Sequence, residues 1–356
     1  MVQSEDARVR LAFPDLGADE LAEVEQVLES GQLTMGPKVV EFESELARAC
    51  EVEHVVAVSS GTAALHLAVL ALGIGPGDEV LVPAFTFPAT ANVVALAGAR
   101  PVLVDVDPTT MNVDPERAAA AMTTRTKAIL VVHLFGRPAR VEELPDATLI
   151  EDAAGALGAR RAGRACGGIG RVGCLSFHPR KIVTTGEGGA VTTNDAELAD
   201  VVRRARHHGI EPRGAFEIAR PGLNYRLSDI LCAVGLPQMR RLDALLAERS
   251  RIAAAYAERL AGLDLVLPEA DEGDVHGWQA YVLQLERRDE ALKALRADGI
   301  EVQVGTYGLH RLAAYRDQGP MPGADRCHDH ALALPFHGRL TDAELDRVSE
   351  ALAPWT

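Results

Sequence analysis

The stretch His54–Leu72 reads "HVVAVSSGTAALHLAVLAL". Its first six residues, His54–Ser59, are mostly β-branched and apolar at consecutive positions, the pattern of a strand covered on both faces. From Thr62 to Leu72 the composition turns to alanine and leucine, which favour helix. Between the two runs stand Ser59, Ser60, Gly61 and Thr62, residues that cap helices and turn the chain. A strand feeding a helix through a short polar turn is half of a βαβ unit, so the stretch predicts an α/β fold.

Outward from this unit the alternation continues. "DEVLVP", "RPVLVDVD", "KAILVVHLF" and "ATLIED" read as strands, and "PATANVVALAGA" and "PERAAAAM" read as helices between them. A further strand is expected over Val172–Phe177, and "GADELAEVEQVLESG" is a helix stopping at Gly31. The prediction is a mainly parallel central sheet between helices, and in such sheets ligands gather at the carboxyl ends of the strands. That edge holds Ser59–Thr62, Pro83–Phe87, Asp152 and the loop around Lys181. From about Gln238 the texture changes to one long amphipathic helix over Met239–Leu263, followed by what resembles a small α+β lobe. The expected division is a large domain over residues 1–237, including the N-terminal segment, and a small C-terminal domain over 238–356.

Composition narrows the function. At 356 residues there is enough chain for two lobes. Acidic residues outnumber basic ones 51 to 36, a formal charge of −15. That balance argues against non-specific nucleic-acid or anionic-membrane binding. The longest apolar run, "TAALHLAVLALGIG", is broken by His66 and falls short of the roughly 18 residues of a membrane helix. The charged opening "MVQSEDARVR" has no apolar signal core, so a cytoplasmic protein is expected. Five cysteines without a CxxC pair read as reduced structural thiols. "CHDH", Cys327–His330, reads as a polar surface segment rather than a metal site.

Several residue groups carry chemistry. In "SFHPRKIVTTGEGGAV", Ser176–Val191, Lys181 sits in a loop closed by Gly186, Gly188 and Gly189. A partly dehydrated lysine loses its proton and its amine attacks carbonyls; the plain alternative is a solvated loop lysine. Ser59–Thr62, before a helix, can bind phosphate or simply cap. Glu151 and Asp152 end an apolar strand and must point to opposite faces. A buried carboxylate there needs a cation, such as a protonated pyridine nitrogen, or else caps the next helix. In "PAFTFPATAN", Phe85 and Phe87 either stack on a flat cofactor or pack in the core. "GGIGRVG" has the spacing of a dinucleotide fingerprint, but its continuation "CLSF" reads as a strand where a helix is required. A phosphate seat, an aromatic plate, an acid for a ring nitrogen and an amine together are what pyridoxal 5′-phosphate requires.

These residues also resemble the DegT/DnrJ/StrS sugar aminotransferases of the fold-type I pyridoxal phosphate enzymes. The likeness runs through "VLESGQLTMGPKVVEFE", "SSGTAALHLAV", "VPAFTFPATAN", "IEDAAGALGA", "SFHPRKIVTTGEGGAVTTND" and "PGLNYRLSDILCAVGL". It thins after about residue 275, where "GLH" and "LPFH" remain. The block around Lys181 is its most specific part. The resemblance implies that Lys181 forms the Schiff base with the cofactor and then shuttles the proton. It gives Asp152 the pyridine nitrogen and Phe87 the ring face. It gives Gly61, Thr62 and Ser176 the phosphate. It implies that Asn224 reaches the phosphate of a neighbouring subunit, hence a homodimer with shared sites. His310 would lie near a sugar nucleotide, whose diphosphate would meet Arg226 or Arg180. Lys181 argues against the dehydratases of the family, in which histidine replaces it. One departure stands out: the residue three after Asp152, often a glutamine or histidine on the cofactor's ring hydroxyl, is Gly155, so another group must make that contact. The segment between "HLFGRP" and "ATLIED" is also short, with room for about one helical turn.

The expected function is transfer of an amino group, from L-glutamate, to a keto group of a nucleotide-linked deoxysugar. The runner-up is a keto-cyclitol such as scyllo-inosose, which would need a small closed pocket where a nucleotide needs a long groove. A pyridoxal phosphate-binding regulator without turnover is the rival of another class.

Overall fold

The computed structural model describes residues 8–211 and 217–356; the first seven residues of the charged opening lie outside the described residues. In chain order the strands are β1 (His54–Val58), β2 (Glu79–Pro83), β3 (Phe85–Thr86), β4 (Arg100–Val104), β5 (Thr126–Val132), β6 (Thr148–Asp152), β7 (Arg160–Arg161), β8 (Arg164–Ala165), β9 (Val172–Ser176), β10 (Gly189–Thr193), β11 (Tyr281–Gln284), β12 (Gln303–Val304), β13 (Tyr307–Gly308) and β14 (Ala331–Leu334). The helices are α1 (Ala18–Ser30), α2 (Pro37–Cys50), α3 (Gly61–Ala71), α4 (Ala89–Leu96), α5 (Pro115–Ala121), α6 (Ala196–Arg206), α7 (Asp229–Arg240), α8 (Leu242–Arg259), α9 (Arg288–Ala297), α10 (Pro322–His330) and α11 (Asp342–Leu352).

The main sheet has seven strands in the order β1-β10-β9-β6-β5-β2-β4. The neighbours β9, β6, β5, β2 and β4 pair in parallel, and β10 is antiparallel to both β1 and β9. Both faces are buried, which explains the unbroken apolar runs. Val56, Val58, Val80, Val82, Leu130 and Ile150 face a layer containing α3 and α4. Val55, Ala57, Leu175 and Ala190 face Phe42, Leu46 and Leu236 of α2 and α7. Burying one such side chain contributes about 1.5–3 kcal/mol. The crossovers leave the carboxyl ends of β1, β9, β6, β5 and β2 along one edge.

Local signals behave as read. α1 stops at Gly31, whose φ of 68° is the left-handed conformation glycine adopts without strain. The short segment between "HLFGRP" and "ATLIED" holds a 3₁₀ turn over Val141–Glu143. The long helix expected over Met239–Leu263 is instead two helices, α7 and α8, separated at Arg241. Pro237 lacks an N–H, so the Ala233 carbonyl loses its helical donor, and Arg241 turns its guanidinium to Glu20 at 2.6 Å. "CHDH" also differs from the expectation of a surface segment. It ends α10, with Cys327 buried and His328 accepting the Gly308 N–H. All five cysteines are free and buried.

The second lobe carries the sheet β11-β14-β12, and its core includes Ile252, Tyr256, Leu295, Leu332 and Leu345. Val9 belongs to this core. It pairs in parallel with Ile300, its N–H on Gly299 O and its carbonyl taking the Glu301 N–H. Leu11 N–H reaches the Glu301 carboxylate, a partner 290 residues later in the chain. Val9, expected to belong to the first lobe, thus packs in the second core, while Leu11 packs against the core of the main sheet. No described helix is long and apolar enough to cross a membrane.

Candidate active site

At the carboxyl edge of the main sheet lies a cavity of about 560 Å³. Its wall is assembled strand by strand. β1 leads into α3, where the Ser60 hydroxyl accepts the Ala63 N–H at 3.0 Å. The remaining first-turn amides, those of Gly61 and Thr62, have no partner within the helix and point outward as an anion seat. A side chain at position 61 is excluded, because its Cβ would stand 2.8 Å from Ser176 Cβ at the end of β9. That contact brings the hydroxyl of Ser176 beside the helix start.

β6 presents Glu151 and Asp152 to opposite faces, as strand geometry requires. Glu151 is fully buried and turned away from the cavity. It accepts the N–H groups of Gly167, Ile169 and Gly170 at 2.6–2.8 Å. His133 bonds it through Nε2 at 2.8 Å, while His133 Nδ1 accepts the Ala139 N–H and so fixes the ring's proton on Nε2. The glycine loop rejected as a dinucleotide motif does bind an anion, but the anion is this internal carboxylate. Burial raises the Glu151 carboxyl, and the bonds from His133 and the loop amides outweigh it, leaving it below its ordinary value. The stabilisation is therefore complete above the unfolded carboxyl range and is lost as pH falls below it. Glu151→Gln, which would turn an NH₂ toward one of these donors, is expected to cost about 2–4 kcal/mol at neutral pH. Denaturant unfolding at neutral and acidic pH would show that loss shrinking as pH falls.

Asp152 turns into the cavity. Thr90 donates its hydroxyl to Oδ2 at 2.9 Å, and the Ala154 N–H reaches Oδ1 at 3.2 Å. Among the described residues no cation pairs with it, and burial pushes its carboxyl up despite those two bonds. Lys181, on the β9–β10 loop, lines the same cavity. Burial pulls its ammonium down, opposed by the Asp152 charge and helped by Arg180. No described residue hydrogen-bonds its amine, which is free to attack. Phe85 and Phe87, ambiguous in sequence, separate cleanly. Phe85 is wholly buried in the core, whereas Phe87 is 61% exposed and stands open on the cavity wall.

The cavity thus brings together Gly61, Thr62, Phe87, Asp152, Ser176, Lys181 and Arg180. Asn224, Arg226 and His310 do not line it. Asn224 is exposed, Arg226 bonds His207 at 2.5 Å, and His310 Nε2 is held by Asp325 at 2.9 Å. The residues 224–226 nevertheless run beside the end of β1, with Val58 bridged to Arg226 and the Ser59 N–H on Tyr225 O. Several residues of the site went unread in the sequence: His178, Glu187 and Gln279 on the wall, and Thr90, which supports Asp152 from behind it. Thr90 lies one helical turn past the aromatic pair, a usable signal; Gln279 comes from the second lobe and had none.

Arg180 also borders a second cavity of about 580 Å³, between residues 8–14 and 296–303, and a smaller one of about 90 Å³. Arg180 lines all three spaces, and its Nη1 is bonded to Gln303 at 2.7 Å.

Comparison with known proteins bears on this arrangement. A model of the DegT/DnrJ/EryC1/StrS aminotransferase family matches residues 14–353. A GDP-perosamine synthase of Caulobacter vibrioides is 39% identical over 97% of both chains. Among solved structures, the aminotransferase TlmJ of Streptoalloteichus hindustanus superposes with a TM-score of 0.94 and 34% identity, covering 97% of this chain and 98% of that one. DesV of S. venezuelae, solved in complex with a ketimine intermediate, gives 0.92 and 36% over 98% of each.

Proposed function

The chain belongs to the DegT/DnrJ/EryC1/StrS aminotransferase family, and on that premise we propose how its residues serve a nucleotide-linked keto-sugar. It is an aminotransferase whose cofactor is pyridoxal 5′-phosphate. The site fits that group: a buried carboxylate that no described cation pairs with, an amine whose pKa burial lowers, and a helix start lined by glycine and serine. When bound, the cofactor supplies an aldehyde to carry the amino group and a ring that draws electrons from the substrate carbon.

The remaining work falls to the chain. Lys181 holds the cofactor through its amine and moves the proton at the substrate carbon. Asp152, as carboxylate, keeps a proton on the ring nitrogen. Gly61, Thr62 and Ser176 hold the phosphate, and Phe87 covers a ring face. In a homodimer, Asn224 would complete the phosphate seat of the partner subunit; its exposure beside the β1 end suits that role. His310, with its ring engaged by Asp325, would meet substrate only across such an interface, and so would Arg226.

The observation that carries the substrate reading is that Arg180 lines three neighbouring cavities. An elongated space suits a sugar joined to a nucleotide, with the diphosphate at the guanidinium, better than it suits a compact cyclitol. The amino donor we assign is L-glutamate. The experiment is a two-stage assay. L-glutamate should bleach the visible band of the protein–pyridoxal phosphate complex, and a nucleotide-linked keto-sugar should then restore it. A keto-cyclitol is expected to react with kcat/KM lower by about 10²-fold. Equal or better turnover of the cyclitol would reverse the substrate assignment.

A further inference from the structure

Gly155 has an ordinary backbone conformation, since its φ lies outside the left-handed region. The turn after β6 therefore does not demand glycine there. What the missing side chain leaves is room, and that room is filled. A Cβ built at position 155 would lie 3.3 Å from Gln279 Oε1 and 3.5 Å from both Cβ and Cγ of Gln279. Any side chain longer than a methyl would push the Gln279 amide out of the cavity that both residues line.

Gln279 is delivered to this place firmly. Its N–H donates to Phe135 O at 3.0 Å, and its carbonyl accepts from the buried Arg249 guanidinium at 3.1 Å. The flanking backbone is strained to achieve it. Phe135 and Trp278 have φ of 57° and 44°, a region that bulky residues rarely enter. The amide end itself is barely engaged, with one long contact of 3.4 Å from Nε2 to Arg180 O. A rigidly placed amide with an idle donor faces the cavity.

The sheet order indicates what it faces. With the phosphate at α3 and Ser176, on the β1–β9 side, and the ring nitrogen at β6, the opposite ring edge looks toward β5 and Gln279. In pyridoxal phosphate the edge opposite the phosphate arm carries the ring hydroxyl. Resting on the cofactor assignment above, we propose that Gln279 is the side chain that hydrogen-bonds that hydroxyl, in the space Gly155 leaves for it.

The test measures pyridoxal phosphate affinity and the pH midpoint of its visible band. Gln279→Ala, which keeps both backbone bonds, should weaken affinity about tenfold and raise the midpoint, because the ring oxygen loses a donor. Gln279→Glu, which brings a negative charge to the same oxygen, should raise the midpoint further. Adding Gly155→Gln to Gln279→Ala should recover most of both values, which a merely structural role for Gln279 would not produce. Wild-type affinity and midpoint in Gln279→Ala with impaired amino transfer would overturn the proposal and assign the amide to substrate. Absence of a visible band in wild type would instead remove the cofactor assignment, and the proposal with it.

Discussion

Lys181→Ala is expected to lower amino transfer at least about 10³-fold, the combined loss of a covalent nucleophile and a general acid–base. The amine lies in a pocket where burial lowers its pKa and no described residue ties it down. A lowered pKa leaves more of it unprotonated near neutrality, which an exposed lysine would not achieve. Reduction of the pyridoxal phosphate complex with borohydride, followed by peptide mass analysis, should place the added mass on the Lys181 peptide and nowhere in the variant. Full activity in the variant, or label on another lysine, would remove Lys181 from its role. The fold should survive, because the side chain makes no hydrogen bond that the sheet depends on.

Asp152→Asn should cost about 10²–10³-fold in kcat while leaving pyridoxal phosphate bound. The substitution is nearly isosteric. The oxygen of the new amide can still accept the Ala154 N–H, and the Thr90 hydroxyl can rotate to accept from the new NH₂. What disappears is the negative charge that keeps a proton on the ring nitrogen. Alone in its pocket the carboxyl is pushed up by burial; a cationic ring nitrogen reverses that shift, so carboxylate and ring stabilise each other's charged form. The loss should therefore fall on kcat rather than on KM for the sugar. An unchanged kcat would mean that the ring works unprotonated here.

The sheet and its active edge were legible because they follow local rules. Runs apolar on both faces alternate with Ala/Leu-rich helices, and Lys181, Asp152 and the Ser60 cap sit at strand ends where chain direction alone places them. Phe85 and Phe87 were not separable by spacing, because the chain leaves β3 at Thr86 and the turn, not the pleat, sends Phe87 outward. The amide-rich "GGIGRVG" was readable as an anion binder only once Glu151, on the neighbouring strand, was known to be its anion. Gln279 and Val9 act across the two lobes, where periodicity within a segment says nothing about which distant residue will face it. The break at Arg241 was hidden for a different reason: a proline one turn before a helix end differs little in pattern from one in a continuing helix.

The pairing of Val9 and Leu11 with residues 299–301 also constrains the order of assembly during translation. Leu11 leaves the ribosome before Glu301, which follows it by 290 positions. At ordinary elongation rates roughly 15–60 s pass before the partner segment is synthesised. Through that interval the first lobe can fold around its sheet while Val9 remains an exposed apolar residue. The later segment then closes on the earlier one, and Gln279 enters the site in the same late stage. A nascent chain halted after the first lobe would carry Lys181 and Asp152 yet lack one wall of their pocket.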